Sequence, residues 1–190
     1  MAPILSCIQG LKDLIGHVLV MKWGNMFEGL LKGSMAMSVG CTKSGKTKYL
    51  SELHSRMVLK KQVCGYFQAK KGEKGFYVSE PSQIFERGKN LPILLIDNIH
   101  LMSPEVTEIL TILKISKQLY VTSEEITPYG LAYPHVGKLL CHADQVTKLS
   151  AVCTKCGADA RYTYVKAKKD NEKQIKVEPR CFTHWQKRTL

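Results

Sequence analysis

No stretch of this sequence reaches the roughly 18 continuous apolar residues that a membrane-spanning helix needs. Lys12, Asp13, His17, Lys22 and Glu28 interrupt the N-terminal part. That part also lacks a basic segment leading into an apolar core and a small-residue cleavage site, so secretion is not expected and a cytoplasmic location is. Internal repeats and low-complexity tracts are absent, which argues against a repeat architecture. Acidic residues are scarce, 16 against 28 Lys and Arg. The resulting net charge of +12 points to polyanionic company: nucleotide phosphates, nucleic acid or a membrane surface. Seven cysteines, an odd number, exclude a complete set of disulfides within the chain. They fit a reducing compartment in which thiols stay free or bind metal.

What is present reads as a globular chain of 190 residues, 44% hydrophobic, long enough for one domain with a real core and a small appended module. Residues 1–32 read as an amphipathic arm, with Leu11, Leu14, Ile15, Val18 and Leu19 at helical spacing. From there strands and helices alternate. Met35–Val39 is a short apolar strand, and Lys46 to about Lys60 sets Leu50, Leu53 and Met57 on one helical face. Val63–Gln68 reads as a strand, followed by a lysine- and glycine-rich connection from Lys70 to Gly75 that should be mobile. Ile93–Ile96 is an aliphatic run of the kind buried on both faces of a parallel sheet, and it ends in Asp97. Ser103 as N-cap, Pro104 and Glu105 predict a helix to about Ser116, and Leu119–Thr122 reads as another strand. This alternation predicts an α/β fold with a parallel sheet and ligands at the carboxyl ends of its strands. Half of the net charge lies in residues 151–190, where ten Lys or Arg face four acids; a solvated lysine-rich face explains this more readily than a nucleic-acid surface.

Three constellations carry chemistry. Gly40, Cys41, Thr42, Lys43, Ser44, Gly45, Lys46 and Thr47 match G-x-x-x-x-G-K-[ST] at every defined position, between the apolar strand and the helix that the motif requires. Glycines let backbone N–H groups curl around phosphate oxygens, Lys46 neutralises the outer phosphates, and Thr47 offers a hydroxyl to Mg²⁺. A chance match is expected in roughly one chain of this length in a hundred or fewer. Asp97, at the end of the aliphatic strand, stands where such folds hold the carboxylate that orients Mg²⁺; alone it could equally be a turn residue. Cys153-x-x-Cys156 and Cys181-x-x-His184 supply the four ligands of a tetrahedral structural zinc site, against the alternatives of a redox pair or four unrelated side chains. Cys7, Cys41, Cys64 and Cys141 read as core or loop residues.

Together these residues resemble the thymidine kinase family of the cellular, poxviral and bacterial type, as a divergent member with a viral lineage open. The resemblance runs over about residues 33–188. It rests on the apolar strand into the glycine loop, on Leu95-Ile96-Asp97, on Ala143 to Gly157, and on Ala160-Arg161-Tyr162-Thr163. It implies a P-loop core at 33–142 and a small zinc-binding domain at 143–190, with a lasso-like loop over the nucleoside. It also implies a homo-oligomer, commonly a tetramer, and transfer of the γ-phosphoryl group of ATP to the 5′-hydroxyl of thymidine. Lys46, Asp97 and the residue after Asp97 would be catalytic. In the family that residue is a Glu acting as base; here it is Asn98, which cannot take a proton. The family's Asp and Arg after the second strand are replaced around Gly72, Glu73 and Lys74, and its Gly-Leu-Asp-x-x-Phe stretch is broken over Ser123 to Tyr129. The lasso segment, Lys173 to Arg180, lacks the usual Gly-Gly and Tyr.

Phosphoryl transfer depends mainly on positioning and charge, so a kinase without that Glu is physically possible, and Glu124 or Glu125 could stand in for it. Tyr129 and Tyr133 are candidates for stacking on a nucleoside base, with core packing or plain exposure as the alternative. His100 and His142 receive no role. Three function classes follow: a deoxynucleoside kinase, a catalytically silent nucleotide-binding relative, and a zinc-bearing P-loop ATPase acting on nucleic acid. In the first of these neither nucleic acid nor membrane is a partner.

Overall fold

In a computed structural model the described residues are 33–70, 75–166 and 177–186, all within the compact unit Lys32–Leu190. The amphipathic arm at 1–32, residues 71–74 of the lysine-rich connection and residues 173–176 of the lasso segment lie outside them. Six strands form one parallel sheet: β1 (Ser34–Gly40), β2 (Cys64–Gln68), β3 (Phe76–Tyr77), β4 (Ile93–Asp97), β5 (Gln118–Ser123) and β6 (Gln145–Leu149). Their spatial order is β3-β2-β4-β5-β1-β6, so β5 lies between the strand that feeds the glycine loop and the strand that ends in Asp97. The expected α/β parallel sheet is what the chain adopts.

The period of two along each strand explains how the sheet is covered. In β4, Leu94 and Ile96 point to one face and Ile93 and Leu95 to the other. The first face packs against α2 (Pro81–Gly88), α3 (Val106–Leu113) and α4 (Pro134–His142) through Ile84, Val106, Leu110, Val136 and Leu139. The second packs against α1 (Lys46–Leu59) through Leu50 and Met57, with Leu53 partly buried beside them, as the helical spacing predicts. Each fully buried side chain of this kind contributes about 2 kcal/mol. Among the described residues no helix is long and apolar enough to cross a membrane.

Two boundaries differ from the sequence expectation. Ser103 does not cap α3: Val106 N–H bonds Ser103 C=O and Thr107 N–H bonds Pro104 C=O, so 103–105 form a tight three-residue turn and the α-helix starts later. Past residue 143 the chain first adds β6 to the large sheet, beside β1. Only then does it build the small antiparallel pairs β7 (Ala151–Val152) with β8 (Asp159–Ala160), and β9 (Tyr162–Val165) with β10 (Val177–Arg180), ending in the short α5 (Phe182–Gln186).

Candidate active site

The glycine loop joins the end of β1 to the start of α1. Gly40 is required by a close approach, since a Cβ there would lie 2.3 Å from the Leu149 carbonyl oxygen at the end of β6. Gly45 is required by its φ of +89° immediately before the helix. Lys46 is only 6% exposed. Its Nζ donates to the carbonyl oxygens of Gly40 (2.8 Å) and Cys41 (2.6 Å) and to Ser44 Oγ (3.4 Å). Burial draws the Lys46 pKa down, while the nearby carboxyl of Glu124, the Cys41 thiol and the Asp97 carboxyl oppose that shift. The ammonium is thus held on the loop by weak carbonyl partners that an anion could displace.

Asp97, fully buried at the carboxyl end of β4, accepts hydrogen bonds on both oxygens: Oδ2 from Thr47 Oγ1 at 2.8 Å, and Oδ1 from Thr122 Oγ1 on β5. The Thr47 hydroxyl and Asp97 carboxylate are hard oxygen donors side by side, the donor set Mg²⁺ takes when phosphates and water complete its octahedron. Asn98 has φ 62° and ψ 42°, the left-handed region that Asn tolerates better than most residues, and its N–H points to Thr122 Oγ1 (3.4 Å). Of the loop and strand-end residues singled out from sequence, Thr42 to Thr47, Asp97 and Asn98 line one open cavity of about 820 Å³, whereas Gly40 and Cys41 do not line it.

Sequence reasoning missed several residues of that cavity. Tyr66 and Gln68 project from the same side of β2, with Gln68 Nε2 donating to the Tyr66 hydroxyl at 2.9 Å. A polar residue ending a buried strand was an available signal for Gln68. Of the two adjacent glutamates, Glu124 lines the cavity, whereas Glu125 pairs with Lys148 at 3.1 Å. Glu124 Oε2 accepts from Thr163 Oγ1 (2.8 Å), and its N–H donates to His100 Nδ1 (3.2 Å). Burial pushes the Glu124 carboxyl up, against the opposing pull of the Thr163 hydrogen bond and Lys46. His100 also lines the cavity, and burial with the nearby Lys46 charge lowers it to about 4, so it is neutral at physiological pH. Tyr133 packs against the rings of His100 and His135, and Tyr129 is 73% exposed; neither lines the cavity. His142 is exposed.

The small module reaches the glycine loop directly. Cys41 is buried with Ala151, Cys153 and Ala160, and its Sγ lies 3.2 Å from the Ala160 carbonyl oxygen. Thr163 Oγ1, on β9, accepts the backbone N–H of Thr42 at 3.0 Å. The ligand atoms of Cys153, Cys156, Cys181 and His184 all lie within 4.8 Å of one another. Cys156 and Cys181 Sγ are 3.7 Å apart, and His184 Nδ1 is 3.2 Å from Cys181 Sγ and 3.8 Å from Cys153 Sγ. A tetrahedron with metal–sulfur bonds of about 2.3 Å has edges of about 3.8 Å, so the four donors fit zinc. Burial raises the Cys153 thiol, but N–H groups of Cys181, Lys155 and Cys156 outweigh it and bring the thiol down to about 6, towards the thiolate that zinc requires.

A parallel sheet with a glycine loop opposite a buried Asp defines a P-loop nucleotide-binding fold. The family model for thymidine kinase matches residues 78–178, more than half of the chain. The chain belongs to the thymidine kinase family. That match takes in Asp97, Glu124, Cys153 and Cys156 but begins after the glycine loop, for which the motif and its geometry stand by themselves. No curated protein sequence matches the chain in a direct comparison. Among solved structures, domain III of the Thermotoga maritima replication initiation protein DnaA is similar at 18% identity and a TM-score of 0.44, covering 62% of this chain and 55% of that one. A DNA replication initiation factor is similar at 14% identity and a TM-score of 0.42, covering 62% of this chain and 40% of that one. Likeness at this level carries no functional information.

Proposed function

We propose that the protein is a deoxynucleoside kinase that transfers the γ-phosphoryl group of ATP to the 5′-hydroxyl of thymidine. The observation that carries this reading, beside family membership, is the meeting of Lys46, the Thr47–Asp97 pair and Glu124 at one open cavity. Loop N–H groups and Lys46 would hold the β- and γ-phosphates, the ammonium exchanging its carbonyl partners for phosphate oxygens. Thr47 and Asp97 would hold Mg²⁺, which when bound supplies charge neutralisation between the phosphates. The acceptor would enter from the side of Tyr66, Gln68 and His100. Cys153, Cys156, Cys181 and His184 would hold a structural zinc and so keep β9, with Thr163, against the loop.

Purified protein with Mg-ATP and each of the four deoxynucleosides in turn provides the test. Thymidine monophosphate is expected, and phosphorylation of none of the four would refute the reading. Asn98 favours a second reading, a nucleotide-binding relative without turnover; ATP binding with no nucleoside phosphorylated is its signature. ATP hydrolysis that responds to DNA or RNA, with no nucleoside product, would instead point to a nucleic-acid ATPase.

A further inference from the structure

Directly after the buried Asp97, position 98 offers an amide on a left-handed backbone. A carboxamide cannot take the proton released when a hydroxyl attacks phosphorus. Two carboxylates line the cavity among the described residues. Asp97 has both oxygens engaged by Thr47 and Thr122. The other is Glu124.

Three observations set Glu124 apart from an ordinary loop glutamate. The sheet order puts β5 between β1 and β4, so the carboxyl end of β5 opens onto the gap between the glycine loop and Asp97. Thr122 and Glu124 are two residues apart, the spacing that returns side chains to one side of an extended chain, and the Thr122 hydroxyl already touches Asp97. Glu124 is also held at both ends: by the neutral His100 ring at its N–H, and at its carboxylate by Thr163, whose oxygen in turn accepts the loop N–H of Thr42. A carboxylate fixed beside the phosphate loop and facing open volume is built for contact with a ligand.

We infer that Glu124 is the general base of the transfer. It accepts the proton of the acceptor's 5′-hydroxyl as that oxygen bonds to the γ-phosphorus; the bond from the γ-phosphorus to the β–γ bridging oxygen breaks, and ADP leaves with that electron pair. The proton then passes from Glu124 to solvent. The inference rests on the kinase reading above. Thr163 and His100 act through Glu124 as positioning residues. The charged and titratable groups facing Glu124 are Lys46, Cys41, His100 and Tyr133.

Burial raises the Glu124 pKa, so its ionised form opposes folding: its contribution to stability is fully present below the ordinary carboxylate pKa of the unfolded chain and is lost as pH rises from there through the raised folded pKa. Removing the charge should therefore leave the protein at least as stable while slowing the chemistry. The test compares the full chain with Glu124→Gln, Glu124→Asp and Glu125→Gln in Mg-ATP and thymidine. Glu124→Gln is expected to lower kcat about 10²- to 10⁴-fold, with both KM values within a few-fold, Tm unchanged or higher, and the acid limb of the kcat–pH profile gone. Glu124→Asp should retain part of the rate, and Glu125→Gln all of it. Wild-type kcat in Glu124→Gln, or a loss lying wholly in KM, would overturn the inference and leave the kinase reading standing. So would loss of Mg-ATP binding by that variant in calorimetry, which would make Glu124 structural. A wild-type protein that phosphorylates no nucleoside would overturn both.

Discussion

The large sheet closes over leucine, isoleucine, valine, methionine and phenylalanine from four strands and four helices, whereas the small C-terminal module closes over little more than Ala151, Cys153, Ala160 and a cysteine borrowed from the glycine loop, Cys41. The first core is large enough to stand on apolar burial. The second is too small for that, and its strands of two to four residues need a covalent or metal clasp to persist. Yet the two regions share the catalytically proposed groups: the loop N–H of Thr42 and the carboxylate of Glu124 are both held by Thr163 of the module. A weakly cored region thereby holds two groups of a strongly cored one.

Metal removal should break the comparison most sharply. Structural zinc binding amounts to about 10 kcal/mol or more in small domains, so chelation or Cys181→Ser should undo the module. In a Trp23→Phe background, Trp185 fluorescence reports it, because that ring stacks on Tyr162 at 4.8 Å and bonds the Pro128 carbonyl oxygen. Far-UV circular dichroism should change little, and simultaneous loss of both signals would show that the large sheet has no independent stability. Metal analysis finding no zinc would remove the four-ligand site altogether.

Next in size, Lys46→Ala should lower turnover about 10³-fold, roughly 4 kcal/mol at the transition state, while the fold, read by Tm, holds. Thr163→Val tests the shared contact itself. It strips a partner from both Thr42 N–H and Glu124 at unchanged shape, and should cost about 1–3 kcal/mol, divided between a lower Tm and weaker Mg-ATP binding in calorimetry. Unchanged ATP affinity would mean that the module covers the loop without supporting it. The smallest effect belongs to Asn98→Glu. A left-handed backbone disfavours Glu by about 1 kcal/mol, so Tm should fall by a few degrees. With Glu124 already serving as base, kcat should not rise; a marked gain would return the base to position 98.

Much of this was legible before any coordinates. The glycine loop, the aliphatic strand into Asp97 and the spaced Cys and His pairs are local patterns, each set by neighbours in sequence. What escaped reading depends on distant pairs. Nothing in Leu119–Thr122 says that this strand lies between β1 and β4, because strand order follows from which crossovers pack. Two-residue strands such as β7 and β8 carry no periodicity to read. Glu124 and Glu125 are indistinguishable as letters, and only the position of Lys148 on β6 and Thr163 on β9 separates an ion pair from a cavity wall. Ser103 does not serve as a cap because the N–H groups of Val106 and Thr107, the donors a capping side chain would take up, already bond the carbonyl oxygens of Ser103 and Pro104.

The sequence by itself determined the phosphate loop, since a cradle made of consecutive backbone N–H groups needs only local residues: a glycine where β6 passes close at Gly40, a glycine at the positive φ before the helix at Gly45, and a lysine at the helix start. The tertiary structure alone decided which of the two adjacent carboxylates, Glu124 or Glu125, lines the cavity. That choice depends on β5 lying between β4, which it follows in sequence, and β1, which three strands separate from it, and on a hydroxyl from a module that begins over a hundred residues after the loop.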